Sequence, residues 1–188
     1  MFWEKAPLKN NASQISTYAF GPGEEFLLDT NVWFLVYGPG RPHDVRVAVY
    51  SRALKQMLAA NCAIYVEVLI LSEYMNAYAR LKHNLLKGTS GVDNDFKRFR
   101  KSPHFKAIAY DIAGDVRQIL KHCQRIESDL PQCEVDRLID EFAQGNSDFN
   151  DQVLAELCKG RNLKLVTDDS DFKDRGLHIL TANQGLLV

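Results

Sequence analysis

Phe26-Leu27-Leu28-Asp29-Thr30-Asn31 is a short apolar run that ends abruptly in polar residues. Such a run, too short for a helix and free of alternation, reads as a strand buried on both faces. A second run of the same kind, Leu163 to Val166, ends in Thr167-Asp168-Asp169-Ser170-Asp171. Cys62 to Val66 and the residues around His178-Ile179-Leu180 supply two more. Working outward, the apolar stretch Val32 to Tyr37 is stopped by Gly38-Pro39-Gly40, and after Pro42 the period turns helical through Val45, Ala48, Val49, Ala53, Met57 and Ala60. Residues 67–86 form a long helix with Gly88 as its stop, and a later helix carries Phe149, Val153, Leu154 and Leu157 and closes near Gly160. Strands alternating with helices predict a layered α/β fold on a mainly parallel sheet.

Residues 87–145 differ from their flanks. They are polar and helical, with one apolar stripe at Ile108, Ile112, Val116, Ile119 and Leu120 and another at Val135, Leu138, Ile139 and Phe142. Residues 1–24, with Pro7, Gly21, Pro22 and Gly23, show no sustained period and read as an irregular lead-in strapped over the surface. The expected organisation is therefore that lead-in followed by a single domain over 25–188, with 87–145 as a helical insertion.

Composition narrows the function classes. The chain has 188 residues, 46% of them hydrophobic, with 23 basic against 24 acidic side chains. This balance excludes a histone-like basic protein and an acidic disordered one. Cys62, Cys123, Cys133 and Cys158 lie far apart with no C-x-x-C pair, which fits reduced thiols rather than a zinc site or a disulfide framework. Met1-Phe2-Trp3 runs into Glu4 and Lys5, not into the apolar segment of a secretory leader, and no uncharged apolar stretch approaches the roughly 20 residues that cross a bilayer. A cytoplasmic protein with no membrane partner is expected.

Four carboxylates carry the chemistry. Asp29 and Asp169 each follow an apolar strand, and at the carboxyl ends of parallel strands side chains converge on the ligand crevice. Asp29 alone serves a helix cap as readily as a ligand. Glu73 stands on the stripe Val66, Ile70, Glu73, Ala77, Leu81, where every other member is apolar, and no cation lies within one helical turn of it. A buried carboxylate there requires a distant cation, a proton or a metal. Asp148 and Asp151 share one side of the first turn of their helix, Asp151 inward and Asp148 open to either a capping or a ligand role. If Asp29, Glu73, Asp151 and Asp169 meet, their charges demand compensation. Oxygen-only ligands favour Mg²⁺ or Mn²⁺, and the matching reaction is phosphodiester hydrolysis.

These strings resemble the ordered signatures of PIN-domain nucleases: LLDTN at 27–31, ILSE at 70–73, D-x-V-L-A from Asp151 and LVTDDSDF at 165–172. The resemblance covers about residues 25–85 and 146–182. It implies a three-layer α/β/α sandwich on a mainly parallel sheet of four or five strands, and a Mg²⁺- or Mn²⁺-dependent ribonuclease, of the kind found as toxins in toxin–antitoxin pairs. Carried over residue by residue, Asp29, Glu73, Asp151 and Asp169 are the catalytic, metal-binding acids. Asp148 and Asp171 stand where some members carry an additional acid, and Asn31 and Thr167 match positions that hold the carboxylates in place. The partners implied are single-stranded or structured RNA, an antitoxin protein and a second copy of the chain. The segment between Glu73 and Asp151 is longer than in compact toxin members. The doublet Asp168-Asp169 leaves two candidates for one slot, of which Asp169 fits T-x-D.

For substrate, Lys97, Arg98, Arg100 and Lys101 interleave with Phe96, Phe99 and Phe105, a pattern that serves RNA backbone and base stacking or, equally, a solvated helix anchored by phenylalanines. Residues 127–151 are acidic against Arg137 alone and should repel nucleic acid. A different class, a non-catalytic PIN-like module that binds RNA or protein, remains as the alternative. A phosphoaspartate phosphatase is disfavoured because Asn31 occupies the position of its second Asp.

Overall fold

The computed structural model describes residues 9–40, 43–128, 134–145 and 148–187. Within them, six parallel strands form one sheet: β1 (Asn11–Gln14), β2 (Glu25–Leu28), β3 (Ala63–Val66), β4 (Gln124–Arg125), β5 (Lys164–Val166) and β6 (His178–Thr181). Seven helices accompany it: α1 (Thr30–Tyr37), α2 (Val45–Ala59), α3 (Val68–Leu86), α4 (Phe96–Phe99), α5 (Pro103–His122), α6 (Val135–Ala143) and α7 (Phe149–Arg161). The result is a three-layer α/β/α sandwich. No helix among the described residues is long and apolar enough to cross a membrane.

Strand order is β1-β6-β5-β2-β3-β4. From β2 the chain winds outward through β3 to β4, then returns to the other side of β2 and winds the opposite way through β5 to β6. The reversal lies between β2 and β5, where Leu28 is in register with Val166. That is the topological switch point of an open parallel sheet, and the crevice forms beyond its carboxyl ends. Phe26, Leu27, Leu28, Leu165 and Val166 are all buried, as expected of central strands covered on both faces.

The strand count exceeds the expected four or five for two reasons. The lead-in is not wholly irregular: Asn11–Gln14 adds to the β6 edge, and Asn10 fastens it. The Asn10 amide donates to Phe172 O at 2.8 Å and accepts from Arg175 N and Leu177 N at 3.1 and 3.0 Å. Ile15, which follows, is fully buried. The middle of the chain is not purely helical either, because Gln124–Arg125 pairs with β3. Nor is that region an appendage. α5 packs on α3, and Ile108, Ile112 and Ile119 enter the core. Met1, Phe2, Trp3, Glu4, Lys5, Pro7, Pro42 and Cys133, which figured in the sequence reading, lie outside the described residues.

α1 packs against α2 and α3 and ends at Gly38. A Cβ on Gly38 would sit 2.4 Å from Phe34 O, a backbone atom, so the chain leaves the helix there only with a residue that has no side chain. This turn forms one rim of the cleft described next.

Candidate metal centre in the sheet crevice

Asp29 leaves β2 and caps α1. Its Oδ1 accepts from Thr30 N at 2.6 Å, while Oδ2 accepts from Thr167 Oγ1 at 2.7 Å and from Asn31 Nδ2. Thr167, fully buried at the end of β5, also accepts through Oγ1 from Asn31 Nδ2 at 3.1 Å and Asp169 N at 3.0 Å. Asn31 Oδ1 accepts from Asp168 N at 3.1 Å. Two strand ends remote in sequence are thus laced together around one carboxylate. Asp29 is 4% exposed, and burial, reinforced by the charges of Glu73 and Asp169, pushes its carboxyl up to about 7 despite those hydrogen bonds.

Glu73 reaches this group through Thr30, whose Oγ1 donates to Glu73 Oε2 at 2.9 Å. The expectation that Glu73 stands on a face seeking burial is corrected: Val66 and Ile70 are buried, but Glu73 and Ala77 are exposed. They form the α3 side of an open cleft. Loss of part of its hydration, with Asp148 and Asp169 nearby, still raises the Glu73 carboxyl above its ordinary value. Asp151, in the first turn of α7, is half-buried. Burial first, then the charges of Asp29, Asp148, Asp169 and Glu73, push it up to about 7.

The neighbouring acids divide by geometry. Asp168 is held by Arg46 Nη1 at 2.7 Å and Tyr50 OH at 2.8 Å. Asp169 takes part in no ion pair among the described residues and caps the short turn at Ser170–Phe172, accepting from Asp171 N at 3.0 Å. Asp148 is the N-cap of α7, accepting from Asn150 N at 2.8 Å, and is exposed. Asp171 is exposed, and its charge is not among those that chiefly act on Asp29, Glu73 or Asp151.

No lysine or arginine among the described residues pairs with Asp29, Glu73, Asp151 or Asp169. Among the described residues, no three His, Cys, Asp or Glu side chains stand close enough as a set to enclose an ion. The donor chemistry nonetheless fits a hard divalent cation: oxygen ligands only, like charges raising one another, and no protein cation to neutralise them.

The cleft beside these acids has a volume of about 540 Å³ and opens between α1, α3 and the start of α2. Thr30, Glu73 and Asp169 line its polar side, and Phe34, Leu35 and Leu81 its apolar side. Sequence reasoning missed Thr30, Arg46, Tyr50 and Asn183. The Tyr50 hydroxyl meets Thr167 O at 3.2 Å and accepts from Ala182 N at 2.9 Å, and Asn183 Nδ2 donates to Asp168 O at 2.9 Å. Thr30 was legible as the middle of D-T-N, whereas the others contact the site across long sequence separations and carry no local signal.

The basic run behaves differently from a stacking platform. Phe99 is fully buried between His83 and Phe105, with ring centroids at 4.6 and 5.6 Å. Arg80 and Arg100 lie over Phe96, at 4.8 and 5.9 Å from its ring centroid. The phenylalanines are anchors of α4. Lys97, Arg98, Arg100 and Lys101 are exposed, Arg98 with an ion pair to Asp93 at 3.0 Å.

A family model described as the PIN domain matches residues 26–176. The chain belongs to the PIN domain family. The match spans residues 87–145 along with their flanks. PIN domains are generally metal-dependent nucleases. Among solved structures, the chain is similar to VapBC2 from Rickettsia felis bound to a DNA fragment from their promoter, at 17% identity and a TM-score of 0.50, covering 83% of this chain and 97% of that one. It is also similar to PAE2754 from Pyrobaculum aerophilum, at 16% identity and a TM-score of 0.47, covering 87% and 93%. No curated protein matches the chain.

Proposed function

We propose that this PIN domain is a divalent-metal-dependent endoribonuclease in which Asp29, Glu73, Asp151 and Asp169 hold Mg²⁺ or Mn²⁺. The observation that carries the reading is the uncompensated charge. Two carboxyls are raised to about 7 at the switch point of the sheet, with no lysine or arginine of the described residues paired to them. A bound cation supplies Lewis-acid stabilisation of the phosphoryl oxygen and lowers the pKa of the attacking water. The chain's own part is positioning. Thr167, Asn31 and the Thr30 amide fix both oxygens of Asp29, and Thr30 Oγ1 turns Glu73 toward the same cleft. Asp151 approaches from the first turn of α7, and the Asp168 clamp leaves Asp169 without an ion pair among the described residues. Asp148 is an exposed, outlying carboxylate whose charge acts on Glu73 and Asp151, and Asp171 is proposed for the same outlying role.

RNA as the substrate, a toxin role, an antitoxin partner, a homodimer and a cytoplasmic location all belong to this proposal. The antitoxin is extended from the likeness to VapBC2, and the location from the reduced-thiol reading of the cysteines. Lys97, Arg98, Arg100 and Lys101 remain candidate RNA contacts through charge alone. The test is cleavage of labelled RNA in Mn²⁺ buffer with and without chelator, using wild type and Asp29→Asn purified identically. Wild-type cleavage abolished by chelator and by Asp29→Asn is expected, and cleavage that survives the substitution overturns the assignment.

A non-catalytic PIN-like module is the second reading, favoured by the absence among the described residues of three ligating side chains set to enclose an ion. A Mn²⁺ titration separates the two: a binding module shows neither carboxylate-dependent affinity nor product.

A further inference from the structure

We propose that Arg46 is a substrate-binding residue, gripping a non-bridging phosphate oxygen of the RNA strand beside the carboxylates. This rests on the ribonuclease reading and names the group that receives the anion. Arg46 stands in the first turn of α2 and is the one basic side chain lining the cleft among the described residues. Glu73, Asp168 and Asp169 line the same cleft, so without Arg46 every charged side chain lining it among the described residues would be anionic.

Its guanidinium is held from two sides. Nε and Nη2 donate to the two oxygens of Asp44 at 2.9 and 2.7 Å, and Nη1 donates to Asp168 Oδ2 at 2.7 Å. A guanidinium carries five N–H donors. Three are used among the described residues, leaving one N–H on each terminal nitrogen. The Arg46 side chain is 43% exposed, against 9% for Asp168. An arginine serving only as a tie between two carboxylates has no need of that exposure on a cleft wall. The two carboxylates also remove the rotamer freedom that a flexible cation loses on gripping phosphate, so the fork is pre-organised. They offset its charge as well, which confines attraction to an oxygen close enough to accept from the two remaining N–H groups.

A second role runs through the same atoms. Asp168 belongs to the loop that carries Thr167 and Asp169, so loss of Arg46 could act on the carboxylates instead of on RNA. The experiment separates the two. In the Asp29→Asn background, where cleavage is abolished, binding of a short fluorescein-labelled single-stranded RNA is followed by anisotropy with and without Arg46→Gln. Affinity is expected to fall about 10- to 100-fold, as charge-assisted hydrogen bonds to an anion are lost. The slope of log K against log salt should shrink by about 0.7. With Asp29 intact, Mn²⁺ affinity of Arg46→Gln, read by electron paramagnetic resonance of free Mn²⁺, should match wild type.

Unchanged RNA affinity and salt slope overturn the proposal, as does Mn²⁺ affinity lost in step with RNA affinity. If Arg46→Gln fails to fold, Arg46→Lys keeps one charge but no fork; its RNA affinity should fall several-fold with the salt slope retained, and wild-type affinity in that variant refutes the assignment. Cleavage by Asp29→Asn itself sinks the ribonuclease assignment of the acids and is read before any Arg46 variant is compared.

Discussion

Replacing Asp29 by asparagine should stabilise the metal-free protein at neutral pH. Burial lifts the Asp29 carboxyl from 3.8 to about 7, so the folded state holds a proton that the unfolded chain releases. Below about pH 3 both states are protonated and Asp29 imposes no penalty. As pH rises from about 3 to 7 the unfolded state ionises first, and stability is lost across that window. A separation of about 3 pH units at 1.36 kcal/mol each sets the loss at about 4 kcal/mol by pH 7.5, and at less than half of that by pH 5. The Asp29→Asn side chain escapes this penalty and keeps an acceptor for Thr30 N. However, its amide nitrogen faces Asn31 Nδ2 and Thr167 Oγ1, which costs about 1 kcal/mol for a mismatched hydrogen bond. The variant should therefore exceed wild type by about 3 kcal/mol at pH 7.5, with the advantage shrinking toward zero by pH 5. Urea unfolding followed by circular dichroism in chelator, at several pH values between these limits, measures the difference directly. Adding Mn²⁺ should reverse the order at neutral pH, because ligand binding to the native state stabilises wild type and not the variant. A difference independent of pH, or an Asp29→Asn protein less stable than wild type at pH 7.5 without metal, refutes the reasoning.

Mn²⁺ affinity of the wild type should rise by roughly tenfold per pH unit between pH 5 and 7 for each carboxyl that must release a proton, and calorimetry in two buffers of different ionisation enthalpy counts those protons. Glu73→Gln should leave thermal stability within about 0.5 kcal/mol, since the residue is exposed and the Thr30 hydrogen bond survives, while RNA cleavage is lost. Gly38→Ala should cost about 1–3 kcal/mol in urea unfolding, because its Cβ meets the Phe34 carbonyl at a distance no rotamer relieves. Asn10→Ala should cost about 2–3 kcal/mol by losing three hydrogen bonds that fasten β1, detectable as a lowered melting temperature.

What the sequence made legible was whatever is local or periodic. The runs before Asp29 and Asp169 are strands because central positions of a parallel sheet favour apolar side chains, and Asp29 follows the first run directly while Asp169 stands three residues past Val166. β1 and β4 escaped notice because Asn-Ala-Ser-Gln and Gln-Arg carry no apolar pattern. They are strands because an edge is open to receive them and, for β1, because Asn10 binds the far side of the chain. Glu73 was placed in the right cleft for an incomplete reason. Its apolar stripe implies burial, but over its 19 residues α3 runs from the core at Ile70 onto the cleft wall at Ala77, so the same stripe passes from one environment to another. The Phe-Lys-Arg-Phe pattern was ambiguous for the converse reason: composition is the same whether the rings face bases or the core, and only tertiary packing chose.

Asp168 and Asp169 show how the site comes to be charged. They are adjacent in sequence, yet Arg46 and Tyr50 take the first and leave the second without a cation. Pairing Arg46 to Asp168 and Asp44 uses the cleft's own positive charge on residues outside the acid group. Asp29, Glu73, Asp151 and Asp169 are left without an ion pair among the described residues, and burial first, then the neighbouring acids, drives Asp29 and Asp151 toward protonation at neutral pH. A fold selected for stability alone would place Arg46 between these acids, since an unpaired buried charge is among the costliest features a core can carry. Under the proposed metal-dependent reading a divalent cation would offset both the burial and the mutual repulsion of these carboxylates, so the groups left uncompensated here would be those that draw the ion in.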